Sequence, residues 1–127
     1  SLSAEAALAP AITIARAMHG MVRLYHVLPD QTNEPDEARL FLHAAEQYLH
    51  AVQRRLQCQG VPTEVSLGWG DPAHEIARTA WDARHRCDLL AIAAHRPRGD
   101  APSEMGNVVA AIMHDAPCPL LILRPAG

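Results

Sequence analysis

The stretch DLLAIA, residues 88 to 93, decides the fold class. After its aspartate it is apolar without interruption, and parallel strands that are covered on both faces have this composition. Before it, the tripeptide Gly70-Asp71-Pro72 predicts a helix start, with Asp71 as the N-cap and Pro72 in the first helical position. After it, LLIL at residues 120 to 123 repeats the apolar pattern. This half of the chain therefore predicts the order helix, strand, helix, strand.

The other half continues the alternation. Helices are predicted over residues 4–19 and 36–59, strands over 21–28 and 63–67, and a last helix from Ser103 or Asp100 to about His114. The helix over 36–59 has the clearest pattern, because apolar residues recur at steps of 4, 3, 4, 3 and 4: Ala38, Leu42, Ala45, Leu49, Val52 and Leu56. Alternating helices and strands predict an α/β fold, a doubly wound parallel sheet with helices on both faces.

Composition narrows the class of protein. The 127 residues suit one domain over 1–127, and 49% apolar content is enough for a continuous core. A net charge of -3 without a basic cluster argues against nucleic-acid binding, and no apolar run is long enough for a membrane. The three cysteines are widely separated, so a disulfide framework or a zinc site is not expected. We expect a cytoplasmic protein by elimination.

Four segments together resemble the universal stress protein family. They are SLSAEAAL at residues 1–8, LYHV at 24–27, GDPAHEI at 70–76, and MGNVVAAIMHDAPCPLLILRP at 105–125. The resemblance implies five parallel strands in the order 3-2-1-4-5. The sequence begins on a helix, so the first strand of that order would lie upstream of Ser1, or come from another chain. A central gap would leave buried backbone groups without partners, so we expect the upstream strand.

The resemblance also implies a ligand site. In open α/β sheets, ligands bind beyond the carboxyl ends of the strands, where the strand order reverses. An adenine nucleotide, ATP, is the leading candidate, with Mg²⁺ only if ATP binds. The predicted binding residues are His26, Val27, Ala94, His95, Arg96, Arg98, Gly99, Gly106, Asn107 and Val108.

The phosphate-binding loop departs from the family pattern. That pattern has a glycine, two residues, a glycine, nine residues, and then a glycine followed by a serine. Here Ala94 and Pro97 replace the first two glycines, the next interval is one residue short, and only Gly106 matches, with Asn107 in the serine position. Pro97 removes a backbone donor. Two interpretations remain open: arginines of this loop bind phosphate by a modified route, or the loop is a degenerate connector in a protein-interaction module.

Catalytic machinery is not predicted. The sequence has no nucleophile-elbow or Walker motif, so we predict no catalytic residues, and slow ATP hydrolysis is a third alternative. His43, Glu46 and His50 share a helix face, but we interpret them as a polar flank and predict no metal site. Trp81 is expected to be partly buried on the third helix.

The last strand predicts self-association. Leu120, Leu121, Ile122 and Leu123 form an apolar edge of the expected sheet. Exposed edges of this kind invite pairing, and in the resembling family such strands meet across a twofold axis. We therefore expect a homodimer through residues 120–123, and a protein partner that the sequence does not identify.

Overall fold

The computed structural model describes residues 7–28, 35–82, 87–93, 104–115 and 118–123. Within these ranges helices and strands alternate, as the sequence predicts. They are α1 (Leu8–Ala17), β1 (Val22–Leu28), α2 (Pro35–Cys58), β2 (Thr63–Trp69), α3 (Pro72–Trp81), β3 (Leu90–Ala93), α4 (Glu104–Asp115) and β4 (Leu120–Leu123). The α/β class is therefore confirmed, and the predicted bounds of α2 and β4 agree with the observed ones to within a residue.

The chain divides into two compact units, Ile12–Pro72 in one, and Ser1–Ala11 with Ala73–Gly127 in the other. In the Ile12–Pro72 unit, β1 and β2 pair in parallel, from Val22 opposite Thr63 to Leu28 opposite Trp69. The helix α2 connects the two strands and packs against both of them. A parallel strand pair needs such a crossover, and this unit is therefore one β-α-β motif.

The core of this unit is the apolar stripe of α2 together with residues of the strands. Leu49, Val52 and Leu56 are buried, and Leu56 and Val61 are each only 1% exposed. The three predicted stripe residues nearer the amino end of α2 are half-buried: Ala38, Leu42 and Ala45. The stripe is thus confirmed, and its full burial is confined to the carboxyl-terminal half of the helix. Complete burial of one leucine contributes about 1.5–3 kcal/mol.

The end of α2 is closed by a glycine in the left-handed conformation. Gly60 has a φ of 79°, and its N–H donates to the Gln57 carbonyl at 3.0 Å. The N–H of Val61 donates to the Leu56 carbonyl, also at 3.0 Å. These two bonds form a Schellman motif, in which glycine carries no side-chain penalty. The predicted end of this helix at residue 59 is confirmed to within one residue.

The end of α1 uses the same motif with a different residue. His19 takes the left-handed position with a φ of 52°, and the N–H of Gly20 donates to the Ala15 carbonyl at 2.8 Å. The helix predicted to run to residue 19 thus ends at Ala17, and its left-handed residue is His19. Pro10 lies in the first turn of α1, where its missing N–H breaks no helical hydrogen bond.

The other unit contains a second β-α-β motif. The strands β3 and β4 pair in parallel from Leu90 opposite Leu120 to Ala93 opposite Leu123. Their connecting helix α4 buries Val109 and Ile112. The predicted burial of Trp81 on α3 is wrong, because that indole is 59% exposed and Ala80 beside it is buried instead.

The strand pairings agree with the order that the family resemblance implies. The described residues form two two-stranded sheets, β1 with β2 and β3 with β4. In the order 3-2-1-4-5, β2 and β1 of this chain correspond to positions 3 and 2, and β3 and β4 correspond to positions 4 and 5. The strand expected at position 1 has no counterpart among the described residues, so the five-strand count stays a prediction.

Candidate ligand site

The first part of the predicted site is the carboxyl end of β1. His26 is exposed there and Val27 is half-buried, whereas Leu28 beside them belongs to the core. The residue that follows β2 is hydrogen-bonded to this end of β1: the N–H of Gly70 donates to the Leu28 carbonyl at 2.9 Å. The two residues that the sequence singles out are thus placed at a strand end and are available to a ligand.

The charge of His26 is set by its surroundings. Although the residue is accessible to solvent, nearby protein atoms displace part of the water around its ring, and this desolvation lowers the pKa of His26 below its ordinary value of 6.5 because it disfavours the charged imidazolium. The side chain is therefore mostly neutral at pH 7. A neutral imidazole offers one hydrogen-bond donor and one acceptor, and suits a base or a hydroxyl group better than it suits the charge of a phosphate.

The carboxyl end of β2 carries a close contact that explains a glycine. A Cβ atom added to Gly68 would lie 2.9 Å from Cζ of Tyr25, closer than real contacts of this kind. Gly68 is opposite Val27 in the strand register, so the ring of Tyr25 crosses to it diagonally. The contact with Tyr25 explains why a glycine occupies position 68.

The second part of the predicted site is the start of α4, in the other unit. The helix begins at Glu104, which places Gly106 and Asn107 in its first turn and Val108 directly after them. The first N–H groups of a helix have no acceptor within the helix, and its dipole is positive at that end. This turn follows β3 in the chain, and in α/β proteins phosphate groups bind at helix starts that follow a parallel strand.

The remaining predicted residues lie outside the described part of the chain. They are Ala94, His95, Arg96, Arg98 and Gly99, and their roles stay predictions. The predicted site draws on both units, and the structure describes each part within its own unit.

The predicted association strand is present as β4. Leu120, Leu121 and Ile122 are half-buried within the chain. Together with Leu123, they pair on one side with β3. Across the described residues no group of three or more His, Cys, Asp or Glu side chains is arranged to hold a metal ion. On α2, Nδ1 of His50 lies 3.1 Å from Oε1 of Gln53, a contact within the polar flank.

The structure brings together two cysteine side chains that the sequence had not suggested to be neighbours. The sulfur atoms of Cys87 and Cys118 are 3.7 Å apart. The sequence contains a signal for this contact, since a single residue separates each cysteine from one of two apolar runs, and parallel pairing of those runs brings their starts together. The contact was not predicted because the two cysteines are far apart along the chain.

Comparison with known proteins establishes the family. The model of the universal stress protein family matches residues 1–124. The chain therefore belongs to the universal stress protein family, and it is a stress-response domain of that family. None of the helices in the described ranges combines the length and the apolar character that crossing a bilayer requires.

Solved structures share the fold. Universal stress protein UspA from Lactobacillus plantarum is 18% identical, with a TM-score of 0.75 over 94% of this chain and 88% of that one. A universal stress protein family member from Burkholderia pseudomallei is 20% identical, with a TM-score of 0.76 over 99% and 89%. A hypothetical protein whose biochemical function was assigned from its structure is 16% identical, with a TM-score of 0.75 over 98% and 91%. At these identities the likeness concerns the fold alone.

Proposed function

We propose that this chain is a stress-response regulatory domain that binds an adenine nucleotide, and that the bound state, not turnover, carries the signal. One observation supports it above the others: Gly106 lies in the first turn of α4, and that turn follows the carboxyl end of a parallel strand. Backbone N–H groups in this position bind anions without a dedicated side chain. The absence of a Cβ at Gly106 lets a phosphate group approach the backbone closely.

The route of phosphate binding is a modified one. Pro97 cannot donate a backbone hydrogen bond, so part of the usual cradle is replaced. Arg96 and Arg98 supply guanidinium groups in the same loop, and a guanidinium binds phosphate oxygens with two parallel hydrogen bonds. Mg²⁺ would accompany the phosphates only when ATP is bound. His26, being mostly neutral, would contact an uncharged part of the ligand.

The test is a titration of ATP, with and without magnesium, on the full-length protein. We expect saturable binding at micromolar concentration that is lost in Gly106→Val. The matched control is Gly20→Val, because a Cβ at Gly20 meets only the Ala15 carbonyl oxygen at an ordinary 3.8 Å. Circular dichroism establishes that both variants are folded. Absence of wild-type binding up to millimolar ATP would refute the nucleotide proposal.

Two other functions are distinguished by the same protein preparation. Ala94 and Pro97 favour a protein-interaction module without a small ligand, because both weaken the phosphate loop. Nucleotide retained through purification supports the regulatory domain, and its absence supports the interaction module. Steady release of phosphate from ATP would instead indicate a slow hydrolase. No dedicated catalytic base is apparent in the sequence, so our proposal is that the domain is not an enzyme.

The proposal includes a homodimer formed through β4. Its apolar residues 120–123 pair with β3 on one side, and an antiparallel partner strand would cover the other side. The cytoplasm is the proposed compartment, since cysteines in the thiol form, as all three are here, suit a reducing environment.

A further inference from the structure

Two of the three cysteines form a thiol pair in the unit that contains β3 and β4. Cys87 precedes β3 and Cys118 precedes β4, and the Cys118 thiol faces the Cys87 sulfur at 3.7 Å. The Cys87 thiol also donates to the carbonyl oxygen of Leu89 at 3.5 Å. Both cysteines are half-buried. The two sulfur atoms are in van der Waals contact and remain partly accessible to small molecules.

The strand register holds this pair in place. Leu90 and Leu120 are opposite each other, and the N–H of Leu90 donates to the Pro119 carbonyl at 3.1 Å. The starts of the two strands are therefore side by side, independently of the cysteine side chains. A disulfide requires a sulfur–sulfur distance of about 2.05 Å. Formation of the bond therefore requires the two sulfur atoms to approach from 3.7 Å, by rotation about the Cα–Cβ bonds of the two residues.

We propose that Cys87 and Cys118 are an oxidisable pair that forms an intramolecular disulfide when the protein meets a hydroperoxide. The thiolate of one cysteine attacks the peroxide oxygen, which breaks the O–O bond and gives a sulfenic acid and hydroxide, protonated to water. The second thiol then attacks the sulfenic sulfur, forms the S–S bond and releases a second water. In total, two thiols are oxidised and one hydrogen peroxide is reduced to two waters.

The bond would tie together two points of the chain that are 31 residues apart. Closing a loop of this length restricts the unfolded chain, and so stabilises the folded state. For a chain of this size we expect the midpoint of thermal unfolding to rise by about 10 °C on oxidation, if the bond forms without strain. Reduction by dithiothreitol should return it to the starting value.

Cys58 has to be replaced in the experiment, because its thiol can form disulfides between molecules. It is exposed on α2, where it is accessible to thiols of other molecules. The experiment therefore uses full-length protein carrying Cys58→Ser, treated with about one equivalent of hydrogen peroxide. We expect intact-mass spectrometry to show the loss of two hydrogen atoms, and peptide mapping to join the peptides of Cys87 and Cys118.

The outcomes are distinct. Cys87→Ser and Cys118→Ser, each in the Cys58→Ser background, should not lose two hydrogens and should show no rise of the unfolding midpoint. Peptide mapping of the oxidised wild-type chain gives the same answer without relying on the folding of either variant. Addition of oxygen atoms to separate cysteines, with no joined peptide, would overturn the proposal.

The helix α2 carries a second surface of interest, which is independent of the cysteine pair. The residues that directly precede the buried stripe form a second stripe on this helix, here called the outer stripe. Its six residues are all exposed, at steps of 4, 3, 4, 3 and 4: Glu37, Phe41, Ala44, Tyr48, Ala51 and Arg55. Phe41 and Tyr48 are 44% and 40% exposed. This spacing is that of a helix face that packs against another helix.

The outer stripe is complementary to itself when read in reverse. In an antiparallel pair related by a twofold axis, Glu37 is opposite Arg55 of the second copy, since the two ends exchange. Phe41 is then opposite Ala51, and Tyr48 is opposite Ala44. Each large side chain meets a small one, and each acid meets a base. Interdigitation of large and small residues with paired charges at the ends favours a specific helix pair.

We infer that the outer stripe docks against the outer stripe of a second copy of this chain, with the two α2 helices antiparallel. The occupant is a second copy because the charges and the side-chain sizes match those of the same helix reversed. A contact of one helix per chain is smaller than a standard interface, so we expect association in the micromolar range or weaker.

A charge reversal tests this arrangement. Glu37→Arg and Arg55→Glu, measured singly by sedimentation equilibrium, should each weaken association by about tenfold, since two exposed ion pairs become repulsive in the symmetric dimer. The double variant restores both pairs and should restore association. Arg55 also interacts within its own chain, so association and not stability is the readout.

The two single variants and the double variant are all made in an Ile122→Lys background, so that association through β4 does not mask the change in association through α2. Single variants that associate like the parent, or a double variant that is not restored, would overturn the inference.

Discussion

At the scale of single residues, the two left-handed helix ends form a natural comparison. His19 and Gly60 hold the same position in the same motif, but only Gly60 lacks a Cβ. We expect His19→Gly to raise the free energy of unfolding by about 0.5–1 kcal/mol, because it relieves the left-handed strain. Gly60→Ala should lower it by about 1 kcal/mol, and this effect is conformational, since no atom lies within 4 Å of the added Cβ.

Urea unfolding of the two variants beside the wild type provides the measurement. A loss of stability in His19→Gly would mean that the imidazole contributes an interaction larger than the strain it imposes.

His26 predicts a pH dependence of stability. Burial lowers the pKa of His26 in the folded state, so below its ordinary value of 6.5 the unfolded chain takes up a proton first. The free energy of unfolding should therefore fall as the pH falls from 6.5 to the folded pKa, with no contribution from this group above that window. His26→Gln removes the effect.

Urea unfolding at a series of pH values measures the difference between wild type and His26→Gln, in which the background of the other histidines cancels. A difference that does not change with pH would show that the ring titrates normally.

At the scale of the element, α2 offers two leucines with the same chemistry and opposite surroundings. Leu56 is 1% exposed and Leu40 is 70% exposed. Leu56→Ala should lower the free energy of unfolding by about 2–5 kcal/mol, because it leaves a cavity in the core. Leu40→Ala should change it by less than about 0.5 kcal/mol. Chemical denaturation gives both values, and similar losses for the two would contradict the burial pattern.

Elements with a strong local pattern could be predicted from the sequence. The six-residue stripe of α2 predicted that helix and its buried face. The uninterrupted apolar run over residues 120–123 predicted the bounds of β4. Predictions failed where tertiary packing decides. Nothing in the sequence near Trp81 shows that its indole faces solvent, and the left-handed residue of α1 is a histidine that a propensity rule passes over.

The candidate site was predictable only in part. His26 and Gly106 could be placed because each is adjacent to a strand or lies in a helix with a clear pattern. The sequence between β3 and α4 has no periodicity, so it predicts no regular element there. The contact between Cys87 and Cys118 depends on strand register, which a single sequence does not state.

At the scale of the whole molecule, the proposed dimer through β4 makes a direct prediction. Ile122→Lys places a charge in the apolar strand and should shift the protein from dimer to monomer in sedimentation velocity, at a sub-micromolar concentration where the wild type is dimeric and the weaker contact through the outer stripe is not formed. Met18→Lys is the control, because Met18 is 74% exposed and lies just after α1, far along the chain from β4. An unchanged dimer in Ile122→Lys would exclude this strand from the interface.

The two sheets have a consequence for how the chain folds as it is synthesised. In each sheet the two paired strands are consecutive in the chain and are connected by a single helix. All residues of the β1–β2 ladder are outside the ribosome once Trp69 has emerged, before β3 has emerged. That ladder can therefore form during synthesis, because its contacts do not depend on later segments. The ladder of β3 with β4 has to wait for Leu123, which makes the carboxyl-terminal motif the last to close.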